Sequence, residues 1–212
     1  MKVNPELIVR AGLTLLNEIG LEQLTLRRLA MDLNIQAPTL YWHFKSKEQL
    51  IDAMATLILA EGVPALLPRK KSADWRSWAT TFGHGLRQIL LHYRDGARVV
   101  AGSRLTDTTY MEATERIGTR LIEAGFSTRN AVVLLSTVYT FTVSFVLEEQ
   151  AVFPTRGQRS PAYNLAERNA RLDPEKFPLM RQSATILFDR FDQRYKESLK
   201  LILGGAAETR IP

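Results

Sequence analysis

Apolar residues recur along this chain at three- and four-residue steps, and the polar residues between them mark where helices begin and end. Ile8, Ala11, Leu15 and Ile19 share one face of a first helix, which Pro5 opens and Gly20 closes. Thr25 is a good N-cap for a second helix over 26–33, with Leu29, Ala30 and Leu33 inward and Arg27 and Arg28 outward. Asn34 stands where the next corner needs a left-handed residue, and Ile35 plugs that corner. Pro38 sets the first turn of a short third helix carrying Thr39, Tyr41, Trp42 and His43, after which Phe44 returns to the core. Ser46 and Gln49 form a capping box that opens a long helix over 46–63, with Leu50, Ile51, Met54, Leu57 and Ile58 on its apolar side.

Residues 64–72 hold two prolines and the basic run Arg69, Lys70 and Lys71, which reads as a solvated loop and a domain boundary. Three units result: a small N-terminal domain over 1–46, a connecting helix over 47–63, and a larger C-terminal domain over 64–212. Asp74 caps a helix bearing Trp75, Trp78, Phe82, Leu86, Ile89 and Leu90, an apolar face too wide for a surface helix. An Arg94-Asp95-Gly96 turn and a short segment to Ala101 follow, then a helix over 108–124 closed by Gly125, and Ser127 caps the next.

Residues 131–147 carry no charge. That run falls short of the roughly 20 residues a bilayer requires, and Ser136, Thr137, Thr140, Thr142 and Ser144 interrupt it, so it reads as a helix buried on nearly all sides rather than a membrane span. A matching helix is expected over 179–203, with Ile186, Leu187, Phe191, Tyr195, Leu199 and Ile202 in sequence. Two such helices per chain suit a four-helix interface in a homodimer. Between them, 154–178 contains four prolines and reads as a long loop enclosing a short helix around 164–172. Strand-like alternation bounded by hairpin turns is missing, so the fold class is all-α: an N-terminal helix-turn-helix three-helix domain plus a larger helical domain.

Composition narrows the chemistry. Across 212 residues, 45% hydrophobic content supports a substantial core, and the absence of cysteine removes disulfides, thiolate metal sites and cysteine nucleophiles. The start, MKVNPELIVR, lacks the apolar stretch of a secretion signal, which suits a cytoplasmic protein. A net charge of +6 favours an anionic partner without deciding which. His43, His84 and His92 show no metal-ligand spacing, and no nucleophile elbow or glycine-rich phosphate loop is present, so no catalytic residue, metal or cofactor is expected. An aromatic cluster alone usually belongs to a core, and two arginines alone are usually a solvated face. The order matters: helix, asparagine corner, proline-started short helix, polar-tipped aromatics and Lys47 at a capped helix start together describe a DNA reader.

The stretch PTLYWHFKSKEQLIDAMA resembles the N-terminal domain of the tetracycline repressor family of bacterial regulators, and the similarity continues through HYRDGARVVAGSR, EAGFS and VLEEQ. The resemblance implies a homodimer on double-stranded operator DNA, with Arg27, Ala37, Pro38, Thr39, Tyr41, Trp42, His43 and Lys47 at DNA-contacting positions. One departure stands out: the family's base-reading glutamine just before the proline is Ala37 here, so a different operator sequence is expected. The same resemblance implies a small-molecule effector site at Phe82, Leu86, Val100, Ser103, Arg104, Leu105, Thr114, Ile117, Val132, Leu135, Ser136, Tyr139 and Glu148. Val100 replaces a histidine that helps hold a drug-borne magnesium ion, and Phe82 and Leu86 replace a polar asparagine and a phenylalanine. A ligand-responsive repressor released by a largely hydrophobic or aromatic effector is the expectation. The alternatives are a tetracycline-responsive repressor with altered contacts, or a structural dimer that no longer reads DNA.

Overall fold

Short polar side chains start most of the helices. Asn4, Thr25, Ser46, Asp74, Ser127 and Asn164 each accept a hydrogen bond from a backbone N–H in the first turn of α1 (Pro5–Gln23), α2 (Leu26–Asp32), α4 (Lys47–Leu66), α5 (Trp75–His92), α8 (Thr128–Val152) and α9 (Leu165–Ala170). The set is completed by α3 (Ala37–His43), α6 (Gly96–Val100), α7 (Thr109–Glu123), α10 (Pro178–Phe188), α11 (Phe191–Ala207) and a 3₁₀ turn at Pro161–Tyr163. The computed structural model describes residues 4–70, 73–155 and 157–209; Lys71 of the basic run lies outside the described residues. Among the described residues, the only strand-like pairing is an isolated bridge between Thr155 and Gln158.

Gly20, at φ 78°, stops the regular part of α1, and Asn34 takes the left-handed corner at φ 51°. The other elements depart from the sequence expectation in three places. The long helix α4 runs through Pro64 to Leu66. A proline there removes only one intrahelical bond, to the carbonyl of Ala60, and the helix ends two residues later, so the cost stays small. Helix α8 has 25 residues, long enough and apolar enough to cross a membrane, so shortness does not argue against a span. What occupies its apolar side is protein: Ala131, Leu134, Val138, Thr142, Val143, Phe145 and Val146 are buried in the core, while Val133, Thr137, Thr140 and Ser144 form an exposed stripe. It is therefore buried on one side of a single chain, not on nearly all sides. The helix expected over 179–203 is broken in two, because Arg159 donates to the Phe188 carbonyl and to the Asp189 carboxylate and holds the chain out of helical geometry at Asp189 and Arg190.

The core is built by α4, α5, α7 and α8, with α11 closing one side. Helices α4 and α5 approach closely: a Cβ placed on Gly85 would lie 2.1 Å from the Ala65 carbonyl oxygen. Arg87, only 8% exposed, ties three helices together, giving Glu149 of α8 two bonds at 2.9 and 2.6 Å and Asp192 of α11 one at 2.7 Å. Buried Gln150 donates to the carbonyls of Leu90 and Tyr93 and accepts from the Ala97 N–H, locking α8 to the start of α6.

The N-terminal unit is fastened to the turn between α5 and α6 and to α6 itself. Asp95 accepts from the Leu21 N–H at 2.9 Å, Arg94 donates to the Glu18 carbonyl at 3.0 Å, and Arg98 pairs with Glu22. Helix α4 is itself held to the segment before α7: Asp52 accepts from the Arg104 N–H and Thr56 Oγ1 from the Thr106 N–H, each at 2.9 Å.

His84 sits half-buried against Tyr195, ring centroids 5.2 Å apart. Burial, then the charges of Arg87 and Lys196, hold its pKa below the ordinary 6.5, with Asp192 opposing. The unfolded chain therefore takes up this proton before the folded one does, so stability is full above pH 6.5 and falls as acid carries the solution below it. His84→Gln is expected to flatten that acid limb between about pH 7 and 5. Urea titrations across this range check it, and parallel curves for the two proteins would refute the assignment.

Candidate nucleic-acid interface

The corner between α2 and α3 is anchored from inside. Leu29, Ala30, Leu40 and Phe44 are buried, and the Ile35 N–H reaches back to the Ala30 carbonyl at 3.0 Å. With those residues committed inward, the outward side chains are fixed: Arg27 and Arg28 on α2, then Gln36, Pro38, Thr39, Tyr41 and Trp42 along α3. Trp42 is 74% exposed and Tyr41 46%, a large apolar area facing water. Exposed aromatics next to arginines mark a contact surface rather than a core. His43 is half-buried and stands edge-on to Trp42, 4.7 Å between centroids.

The structure brings Arg27, Pro38, Thr39, Tyr41, Trp42 and His43 to one end. Ala37 and Lys47 behave differently. Ala37 is half-buried and packs against the core. Lys47 donates to the Leu21 carbonyl at 2.8 Å, so its ammonium ties the start of α4 to the end of α1 instead of standing open for a phosphate. The capping box is also shifted by one residue: Ser46 accepts from the Gln49 N–H, but the Gln49 side chain accepts from Lys45 N–H. Exposed Lys45, whose ammonium reaches the Trp42 carbonyl at 3.4 Å, and exposed Gln36 adjoin these outward side chains, and the sequence reading did not single them out. A basic side chain next to the aromatic cluster was the signal for the first.

The residues expected to hold an effector fall into buried, half-buried and exposed groups. Phe82, Leu86, Val100 and Ile117 are buried in the core, with Leu105, Leu135 and Tyr139 half-buried against it. Ser103 donates to the Val99 carbonyl, Thr114 to Met111, and the Arg104 side chain is exposed. Val132 and Ser136 face outward on α8, away from Phe82 and Leu86. Two cavities are lined mostly by other residues. One of about 640 Å³ runs between the N-terminal unit and the core, lined by Val9, Phe44, Asp52, Leu57 and Thr106 among others; one of about 300 Å³ lies between Glu148, Tyr163, Phe188 and Phe191. Glu148 alone of the expected set lines either, and it pairs with Arg194 at 3.3 Å. Tyr110, which sequence reasoning missed, stands 6.5 Å from Tyr139, and burial raises the pKa of both phenols, leaving them neutral hydroxyls beside the apolar cluster. Val100 offers no donor atom to a metal ion, and among the described residues no three His, Asp or Glu side chains converge.

A three-helix reader with an exposed recognition surface, carried by α4 on a larger helical core, defines a helix-turn-helix regulator. The model for bacterial regulatory proteins of the tetR family matches residues 8–54, and that for the tetracyclin repressor-like C-terminal domain matches residues 67–210. The chain belongs to the tetR family. It is 41% identical to the tetracycline repressor protein class A from transposon 1721 of Escherichia coli, over 99% of this chain and 93% of that one. Among solved structures, a possible TetR family transcriptional regulator from Streptomyces coelicolor A3(2) superposes with a TM-score of 0.86 at 33% identity, covering 98% of this chain and all of that one. A TetR variant from Acinetobacter baumannii AYE in complex with minocycline gives 0.76 at 31%, covering both chains fully.

Proposed function

We propose that this protein is a ligand-responsive transcriptional repressor that occupies double-stranded operator DNA as a homodimer and lets go when a small, largely hydrophobic or aromatic effector binds. The observation that carries the reading is the outward set Arg27, Thr39, Tyr41 and Trp42 on a rigidly anchored corner. Cationic and hydroxyl groups hold phosphates, and the leading end of α3 faces base edges. Dimerisation has support in the stripe on α8 and in exposed Ile186 and Leu201 of α10 and α11, which a second copy would cover. The protein acts by occupancy, not catalysis, in the cytoplasm where the DNA lies.

Release requires that the effector favour a state with displaced readers over the DNA-competent one. Entry between α5, α7 and α8 means parting Phe82, Leu86, Ile117 and Tyr139, so the fitting ligand is apolar and flat, with Tyr110 and Tyr139 as its few polar partners. A second reading keeps a tetracycline as effector through altered contacts, favoured by the 41% identity to the class A repressor.

Gel shifts with the intergenic DNA beside the gene test both. A discrete complex that weakens steeply with salt is expected, dissolved by an apolar aromatic compound without magnesium. Strong magnesium-dependent release by tetracycline would transfer the argument to the second reading, and no sequence-specific complex would remove the repressor altogether.

A further inference from the structure

Helix α3 begins unlike its neighbours: its N-cap is Gln36, whose side chain makes no capping bond and lies exposed. Ala37 follows, half-buried and packed against the core. It precedes buried Leu40 by three residues and buried Phe44 by seven, the spacing of one helix face, so its methyl belongs to the inward side. The first long side chain turned outward at the leading end of the recognition helix is therefore Gln36. Its neighbours cannot substitute for it. Pro38 has no donor, Thr39 is short, and Tyr41 and Trp42 stand further along the helix.

We propose that Gln36 reads an adenine in the major groove, once in each operator half-site, supplying the direct readout that Ala37 cannot. A glutamine amide presents a donor and an acceptor side by side, which matches the N7 acceptor and N6 donor of adenine and no other base as well. Its exposure, and the lack of a capping bond from its side chain among the described residues, leave both groups available. The inference rests on the DNA-binding reading above.

Selection of bound duplexes from a randomised pool tests it, using the full-length protein, Gln36→Ala and Gln36→Glu. The unaltered protein is expected to select an A·T pair at one position of each half-site. Gln36→Ala should keep the rest of the consensus and lose preference at that position alone, by roughly tenfold or more. Gln36→Glu should shift it toward cytosine, whose N4 amine donates to a carboxylate. An unchanged consensus for Gln36→Ala, or a loss spread evenly over all positions, overturns the assignment while leaving DNA binding intact. If the unaltered protein selects no sequence, the DNA-reading conclusion fails first and this one with it.

Discussion

Gly85→Ala is expected to cost about 3 kcal/mol or more of unfolding free energy, at the upper end of what overpacking does to a core. The added Cβ would lie 2.1 Å from the Ala65 carbonyl oxygen and 2.6 Å from its carbon, both backbone atoms that cannot rotate aside. The end of α4 would have to lift off α5. Urea unfolding measures the loss, and Gly118→Ala is the internal control. There the added carbon meets only a Leu135 methyl at 3.7 Å, so alanine's better helix propensity should leave stability equal or slightly higher. Equal stability of Gly85→Ala and the unaltered protein would show that the two helices do not approach as described.

Arg87→Met is expected to cost about 3–5 kcal/mol, because it leaves a carboxylate buried without its cation. The side chains of Arg87 and Glu149 are 10% and 12% exposed, so water does little to relieve the lone Glu149. Asp192 is 82% exposed and loses little when its arginine goes. The double variant Arg87→Met, Glu149→Leu should recover much of the loss, since a well-packed apolar pair can replace a buried ion pair at little cost. Denaturant titration at neutral pH checks both variants. A loss below about 1 kcal/mol for Arg87→Met would mean that Glu149 is hydrated as an exposed carboxylate is.

Where the sequence was legible, the rule was local. Thr25, Ser46, Asp74 and Ser127 cap helices because a short oxygen-bearing side chain can reach an N–H in its own first turn, and Asn34 tolerates φ 51°. Where it was not, a distant residue decided. The break at Asp189 and Arg190 depends on Arg159, thirty positions earlier, and the fate of Lys47 on a carbonyl at Leu21. The outward placement of the side chains proposed to face DNA was readable because charge and aromatic tips announce it. Ala37 was not, because a small apolar residue at a helix start has no signature to separate a base-facing methyl from a core-facing one. The effector residues were the least legible. Phe82, Leu86 and Ile117, all buried, give the same periodic signal whether they wall a ligand cavity or fill a core.

The glycine gap between α4 and α5 also sets a gearing. From Ala65, seated on Gly85, to Lys47 the helix spans about 27 Å at its usual rise. Any pivoting about that bearing therefore carries the far end by about 0.5 Å per degree at that lever length. In the proposed homodimer, two readers seated on successive turns of a DNA groove, about 34 Å apart, would have little slack. A few degrees at the bearing would misplace both by more than a hydrogen bond tolerates.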